Sequence, residues 1–158
     1  MKIKWKQLAV CVAIPLAVGG LSAFLTKDAM ESFPQLDQPP LSPPMWLFPV
    51  VWTVLYVLMG IGSYLVLNSQ GRRGVGKGKA LCVYALQLAF NFLWTIFFFN
   101  CGWYLFAFVW LVALWGLILW TFLLFRQRSH PAGWTLVPYL AWVAFAGYLN
   151  FGIYLLNK

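Results

Sequence analysis

Every Asp, Glu, Lys and Arg of the chain lies outside five apolar runs, at about 7–26, 45–68, 80–100, 103–125 and 133–157. Each run has close to the 20 or so residues that carry a helix through the hydrocarbon core of a bilayer. A single run crosses lipid only as a helix, because a helix satisfies its own backbone groups, whereas a barrel would need alternating segments of about ten residues. The pattern therefore predicts an all-α membrane protein, a bundle of five transmembrane helices forming one domain over 1–158. The opening Met1-Lys2-Ile3-Lys4-Trp5-Lys6 also suits a secretory leader, but the run behind it is longer than the usual leader core and has no convincing small-x-small cleavage site. A mature first helix is expected, and Ala9, Ala13, Ala17 and Gly20 would let a neighbour approach it closely.

The connections differ in kind. Gly71 to Lys79 is glycine-rich and basic, without the order of a phosphate-binding loop and with no strand before it. Asn100-Cys101-Gly102 reads as a tight turn. The stretch at about 27–44 carries Pro34, Pro39, Pro40, Pro43 and Pro44, which restrict the backbone while denying it a helix, as in an ordered lid.

Composition sharpens this. Hydrophobic residues make up 63% of the 158 positions and charged ones 9%, against about a quarter charged in soluble domains. Eleven Lys and Arg against three acids leave a net charge of +8, in clusters between apolar runs and not as the basic face a nucleic-acid binder needs. With the N-terminus in the cytoplasm, Lys2, Lys4, Lys6, Arg72, Arg73, Lys77, Lys79, Arg126 and Arg128 fall inside, and only Lys27 and Lys158 outside. That bias predicts a bacterial plasma membrane with the N-terminus cytoplasmic; the rule is weaker for an organellar membrane. Cys11, Cys82 and Cys101 are too scattered for a disulfide framework or a metal site, and His130 reads as a solvated loop residue.

Three helices carry a face unsuited to plain lipid. Phe48, Trp52, Tyr56, Gly60 and Ser63 recur at helical spacing on the second, Tyr84, Gln87, Asn91 and Trp94 on the third, and Tyr139, Trp142, Ala146 and Asn150 on the fifth. Such groups serve either as interhelical bonds and anchors or as the lining of a pocket. Indoles at Trp52, Trp94 and Trp142 would bring flat surfaces to a shared interior, with Gln87 or Asn91 orienting a ligand by hydrogen bonds. The fourth helix, with Trp103, Trp110, Trp115 and Trp120 but little polarity beyond Thr121, is expected to face lipid or another subunit.

Ser42-Pro43-Pro44-Met45-Trp46-Leu47-Phe48-Pro49-Val50-Val51-Trp52 and the residues to Gly60 resemble the most distinctive segment of the tryptophan-rich sensory protein and translocator protein family. Gln87 to Trp94 and Pro138 to Asn150 are similar to that family's third- and fifth-helix motifs. The resemblance implies a five-helix bundle, commonly a homodimer, binding porphyrins and synthetic isoquinoline or benzodiazepine-type ligands below the first loop. Carried onto matching positions, it implies a pocket of Pro43, Pro44, Trp46, Phe48, Trp52, Tyr56, Asn91, Trp94, Trp142, Phe145 and Ala146. Departures lie in the lid, where Ser32, Phe33, Gln38 and Leu41 stand for a Trp-Tyr pair, a lysine and a further tryptophan. The fourth helix lacks an acidic residue many relatives carry. Leu149, Tyr154 and Lys158 fit the loose sterol-associated pattern, which is permissive enough for chance to supply it.

The expected function is binding of a porphyrin or another flat apolar molecule for sensing, scavenging or translocation, with no required cofactor. An enzyme of light- and oxygen-dependent porphyrin degradation, with Trp52 and Trp142 as redox-active indoles, is the alternative; a structural or regulatory membrane subunit is the third reading. Acid/base catalysis is disfavoured because no carboxylate, histidine or lysine falls within the runs.

Overall fold

The structure, a computed structural model, describes residues 2–70 and 76–158. The middle of the basic connection, with Arg72 and Arg73, lies outside the described residues. Among the described residues six α-helices follow one another: α1 (Trp5–Ser32), α2 (Leu47–Leu67), α3 (Lys77–Thr95), α4 (Tyr104–Arg128), α5 (His130–Trp134) and α6 (Val137–Asn157). With the short turns that extend α1 and α3, and with α5 joined to α6, they form five segments long and apolar enough to cross a membrane. The chain is an integral membrane protein built as a five-helix bundle.

The first helix departs from its expected end. It was expected to stop near residue 26, with a lid from 27; it continues to Ser32 and then tightens into a 3₁₀ turn over Phe33–Gln35. Lys27, Asp28 and Glu31 end the apolar run, yet charged residues do not break a helix. Pro34 does, and it sits in the first turn of the 3₁₀ segment where its missing N–H costs nothing. The connection left over is 36–46. The fourth helix likewise runs three residues past its apolar run, with Arg126 and Arg128 in its last turn, where cations meet the negative end of the helix dipole.

The spans close into a ring. α1 packs on α2, α2 on α5, α6 on α4, α4 on α3, and α3 on α1. Backbones approach closely at Gly60, where an added Cβ would sit 2.7 Å from the Cys11 carbonyl oxygen, so the backbone of α1 rests on that glycine. The half of the bundle holding the N-terminus is solid. Met59, Val66, Leu114, Ile118, Phe125 and Leu136 are fully buried there. At its rim, Arg128 donates from Nε to Ser69 Oγ and from Nη2 to the Ser69 carbonyl, each at 3.0 Å. Asn68 Nδ2 donates to Gln7 Oε1 at 2.7 Å.

The opposite end carries the 36–46 connection, tied to α6 at three points. The Asp37 N–H donates to Asn157 Oδ1 at 3.1 Å, and Asn157 Nδ2 donates back to the Asp37 carbonyl at 2.7 Å. Tyr148 Oη donates to the Pro40 carbonyl at 2.6 Å. Pro39, buried, lies against Gly152. The α3 helix ends in a π segment over Ile96–Asn100, and Gly102 (φ +65°) turns the chain into α4. Wider π turns shift the facing of the residues they contain, and here Phe98 and Phe99 are brought inward.

Candidate functional site

Between the solid half and the 36–46 connection lies a cavity of about 420 Å³. Its walls are aromatic and come from several elements. Phe48, Trp52 and Tyr56 stand one turn apart on α2, Trp94 ends α3, Phe98 and Phe99 follow in the π segment, Trp142 lies on α6, and Phe33 lies in the 3₁₀ turn. The rings touch in series. Trp142 meets Phe48 at 5.8 Å between centroids, Phe48 meets Phe33 at 6.3 Å, Phe33 meets Phe98 at 5.9 Å, and Phe98 stacks on Trp94 at 5.3 Å. Trp52 stacks on Tyr56 at 5.6 Å. Among the described residues, no Asp, Glu, Lys, Arg or His lines this space.

The polar atoms near it are nearly all spoken for. Trp94 Nε1 donates to Asn150 Oδ1 at 3.0 Å, and Asn150 Nδ2 donates to the Tyr104 carbonyl at 2.8 Å, which joins α3, α6 and α4. Ser22 donates to the Gly19 carbonyl, Thr53 to that of Pro49, and Thr95 to that of Asn91. Trp142 is the exception: its Nε1 is buried without a hydrogen-bond partner. A buried donor left unmade costs about 1–3 kcal/mol, and this one is shut off from the open space, so it is a cost to the packing and not a contact held out to a ligand.

Six of the twelve residues expected from the sequence line the cavity: Phe48, Trp52, Tyr56, Trp94, Trp142 and Ala146. The other six are elsewhere. Gln87 and Asn91 are fully buried one layer deeper, where Asn91 Nδ2 donates to Tyr139 Oη at 2.9 Å and Tyr139 Oη donates to Gln87 Oε1 at 2.7 Å. These amides cement α3 to α6 and do not face the opening. Phe145 backs the Trp142 ring at 5.6 Å instead of lining the space. Pro43 and Pro44 belong to the connection outside the cavity, and Trp46 is 67% exposed just before α2.

The sequence reading missed the wall supplied by the first helix, Leu16, Gly19, Gly20, Ser22 and Ala23, and also Phe33, Phe98 and Phe99. Of these, only the Gly19-Gly20 pair left a signal, since two adjacent glycines inside a membrane helix mark a close approach. Gly19 lies directly against the Tyr56 ring.

The TspO/MBR family profile matches residues 11–156. The chain is similar to tryptophan-rich protein TspO of Chlorobaculum tepidum, 43% identical over 152 residues covering 95% of each chain. It is 36% identical to the translocator protein of Ovis aries over 158 residues, 98% of this chain and 92% of that one. It is also 36% identical to the tryptophan-rich sensory protein of Cereibacter sphaeroides over 157 residues, 99% and 95% of the two chains.

Proposed function

Because this chain belongs to the TspO/MBR family, we propose that its cavity binds a porphyrin or a similarly flat, largely apolar molecule, for sensing or translocation at the membrane. The observation that carries this reading is the shape and chemistry of the cavity: about 420 Å³ walled by aromatic rings, with no acidic or basic side chain among the described residues. That volume lies within the roughly 300–1,000 Å³ of small-molecule sites. Aromatic walls gain from burying and stacking against a flat apolar face. A carboxylate drawn into such a wall would lose its hydration with no cation to repay it. The acidic groups of a porphyrin would therefore stay at the mouth, while the macrocycle enters.

The test is a titration of purified protein in detergent with protoporphyrin IX, followed by tryptophan emission and competed with an isoquinoline ligand. Trp142→Ala removes a ring worth about 1.5–3 kcal/mol of burial, so affinity should fall by about ten- to a hundredfold. Quenching that never saturates, or that the isoquinoline and the Trp142→Ala change both leave unaltered, would end this reading.

A further inference from the structure

The lining of the cavity is not evenly shielded. Its residues from α3, the π segment and α6 are buried or half-buried, and so are Phe33 and Met45 on the side of the connection. The exposed lining residues are Gly20 and Ala23 on α1 and Pro49 and Thr53 on α2. These two helices are pressed together lower down, at Gly60 against Cys11 and at Gly19 against Tyr56. Above those contacts the seam between them gives onto the cavity. Lys27, whose ammonium stands 4.8 Å over the Phe24 ring, marks the polar boundary on α1. Ala23 is one turn below it, so the seam opens inside the apolar layer. Hydroxyls along it are satisfied within their own helices: Thr53 Oγ1 donates to the Pro49 carbonyl at 2.6 Å and Thr26 Oγ1 to the Ser22 carbonyl at 2.7 Å. The end of the bundle is shut by contrast, with the connection tied down through Asn157, Tyr148 and Gly152.

We propose that the ligand passes between lipid and cavity sideways, through the seam between α1 and α2 with Gly20 and Thr53 as its lips, and not through the 36–46 connection. This rests on the ligand-binding reading above. A molecule apolar enough for the cavity concentrates in the bilayer first, and a door at the depth where it already resides spares it a second passage through water.

The experiment measures protoporphyrin IX association and dissociation by stopped-flow tryptophan quenching, with the full chain in phosphatidylcholine nanodiscs. A Cβ added at Gly20 meets nothing within 4 Å, so Gly20→Phe folds and projects a ring across the seam; Ala23→Phe is the second such variant. Dissociation should slow by about tenfold and association at least as much, because a narrowed door raises the barrier in both directions. Freeing the connection with Tyr148→Phe and Asn157→Ala together should leave both rates within about threefold of the parent chain. The proposal is overturned if Gly20→Phe and Ala23→Phe leave the rates unchanged. It is overturned too if association slows while dissociation quickens, which marks a filled cavity, or if freeing the connection speeds both rates. An absence of saturable, isoquinoline-competed binding in the parent chain would remove the binding reading itself. Failure in the rates alone leaves that reading standing.

Discussion

Replacing Tyr139 by Phe removes one oxygen from the middle of the bundle and leaves the ring in place. That oxygen accepts from Asn91 at 2.9 Å and donates to Gln87 at 2.7 Å, and all three side chains are almost wholly buried. Interhelical hydrogen bonds within membranes are worth about 0.6 kcal/mol on average and up to about 1.7, so two of them amount to about 1–3 kcal/mol. Titration with SDS in mixed micelles, read by far-UV circular dichroism, should show a loss of that size for Tyr139→Phe. The control Tyr154→Phe, half-buried further along α6, should lose less than about 0.5 kcal/mol. A double-mutant cycle with Gln87→Leu should return a coupling of about 1 kcal/mol, since the second change removes a partner already lost. Protoporphyrin affinity of Tyr139→Phe should move by less than about threefold, because the network joins α3 to α6 and stands outside the cavity wall. A loss below about 0.5 kcal/mol, or strictly additive single changes, would refute the argument that the amides are structural.

Two further outcomes follow from the packing and the charge. Gly60→Leu places a side chain where the α1 backbone lies, so thermal unfolding in detergent should register an overpacking loss of about 1–3 kcal/mol or more; a wild-type melting curve would show that α1 and α2 do not meet there. In a chain whose three native cysteines are replaced, single cysteines at 2 and 79 should react with an impermeant maleimide from the cytoplasmic face, and one at 37 from the other, as positive-inside insertion requires. Reaction of 2 and 37 from the same side would break the bundle's topology.

The spans were legible because lipid imposes a length and forbids charge, and both conditions are written directly in the order of residues. Their ends were less so. Lys27 and Glu31 close an apolar run without closing a helix, and what ends α1 is Pro34. Within the site, the α2 stripe of Phe48, Trp52 and Tyr56 was readable because large rings at helical spacing have few other uses on one face. The amides of α3 were misplaced for an instructive reason. Spacing shows that Gln87 and Asn91 share a face, but the hydroxyl that satisfies them comes from Tyr139, 52 and 48 residues away. Nothing local announces such a partner. Beyond the Gly19-Gly20 pair the α1 wall was silent for the opposite reason, since Leu16 and Ala23 look like any lipid-facing residues. Phe98 and Phe99 reach the cavity through a π turn, a change of facing that regular helical spacing cannot express.

Two of the departures from the lid pattern that the resemblance implies, Gln38 and Leu41, lie in the 36–46 connection, and its attachments show how it is held in this chain. The Asn157 amide brackets Asp37 from both sides, Tyr148 reaches Pro40, and the Pro39 ring lies on Gly152, where a built Cβ would stand 2.6 Å from Pro39 Cγ. A proline ring cannot bend away, so Gly152→Val must push the connection off α6 or strain the helix beneath it. The first is the lower-cost route, because the displaced groups reach water and regain hydrogen bonds there. The Asp37 amide, whose N–H is held by Asn157 Oδ1, reports the outcome directly. Its hydrogen exchange should quicken by about tenfold in Gly152→Val, the equivalent of about 1.4 kcal/mol of docking lost, while amides in α2 and α4 keep their protection. Unchanged exchange at Asp37, with unchanged thermal stability, would mean that Pro39 and Gly152 are not pressed together and that the connection is held by hydrogen bonds alone.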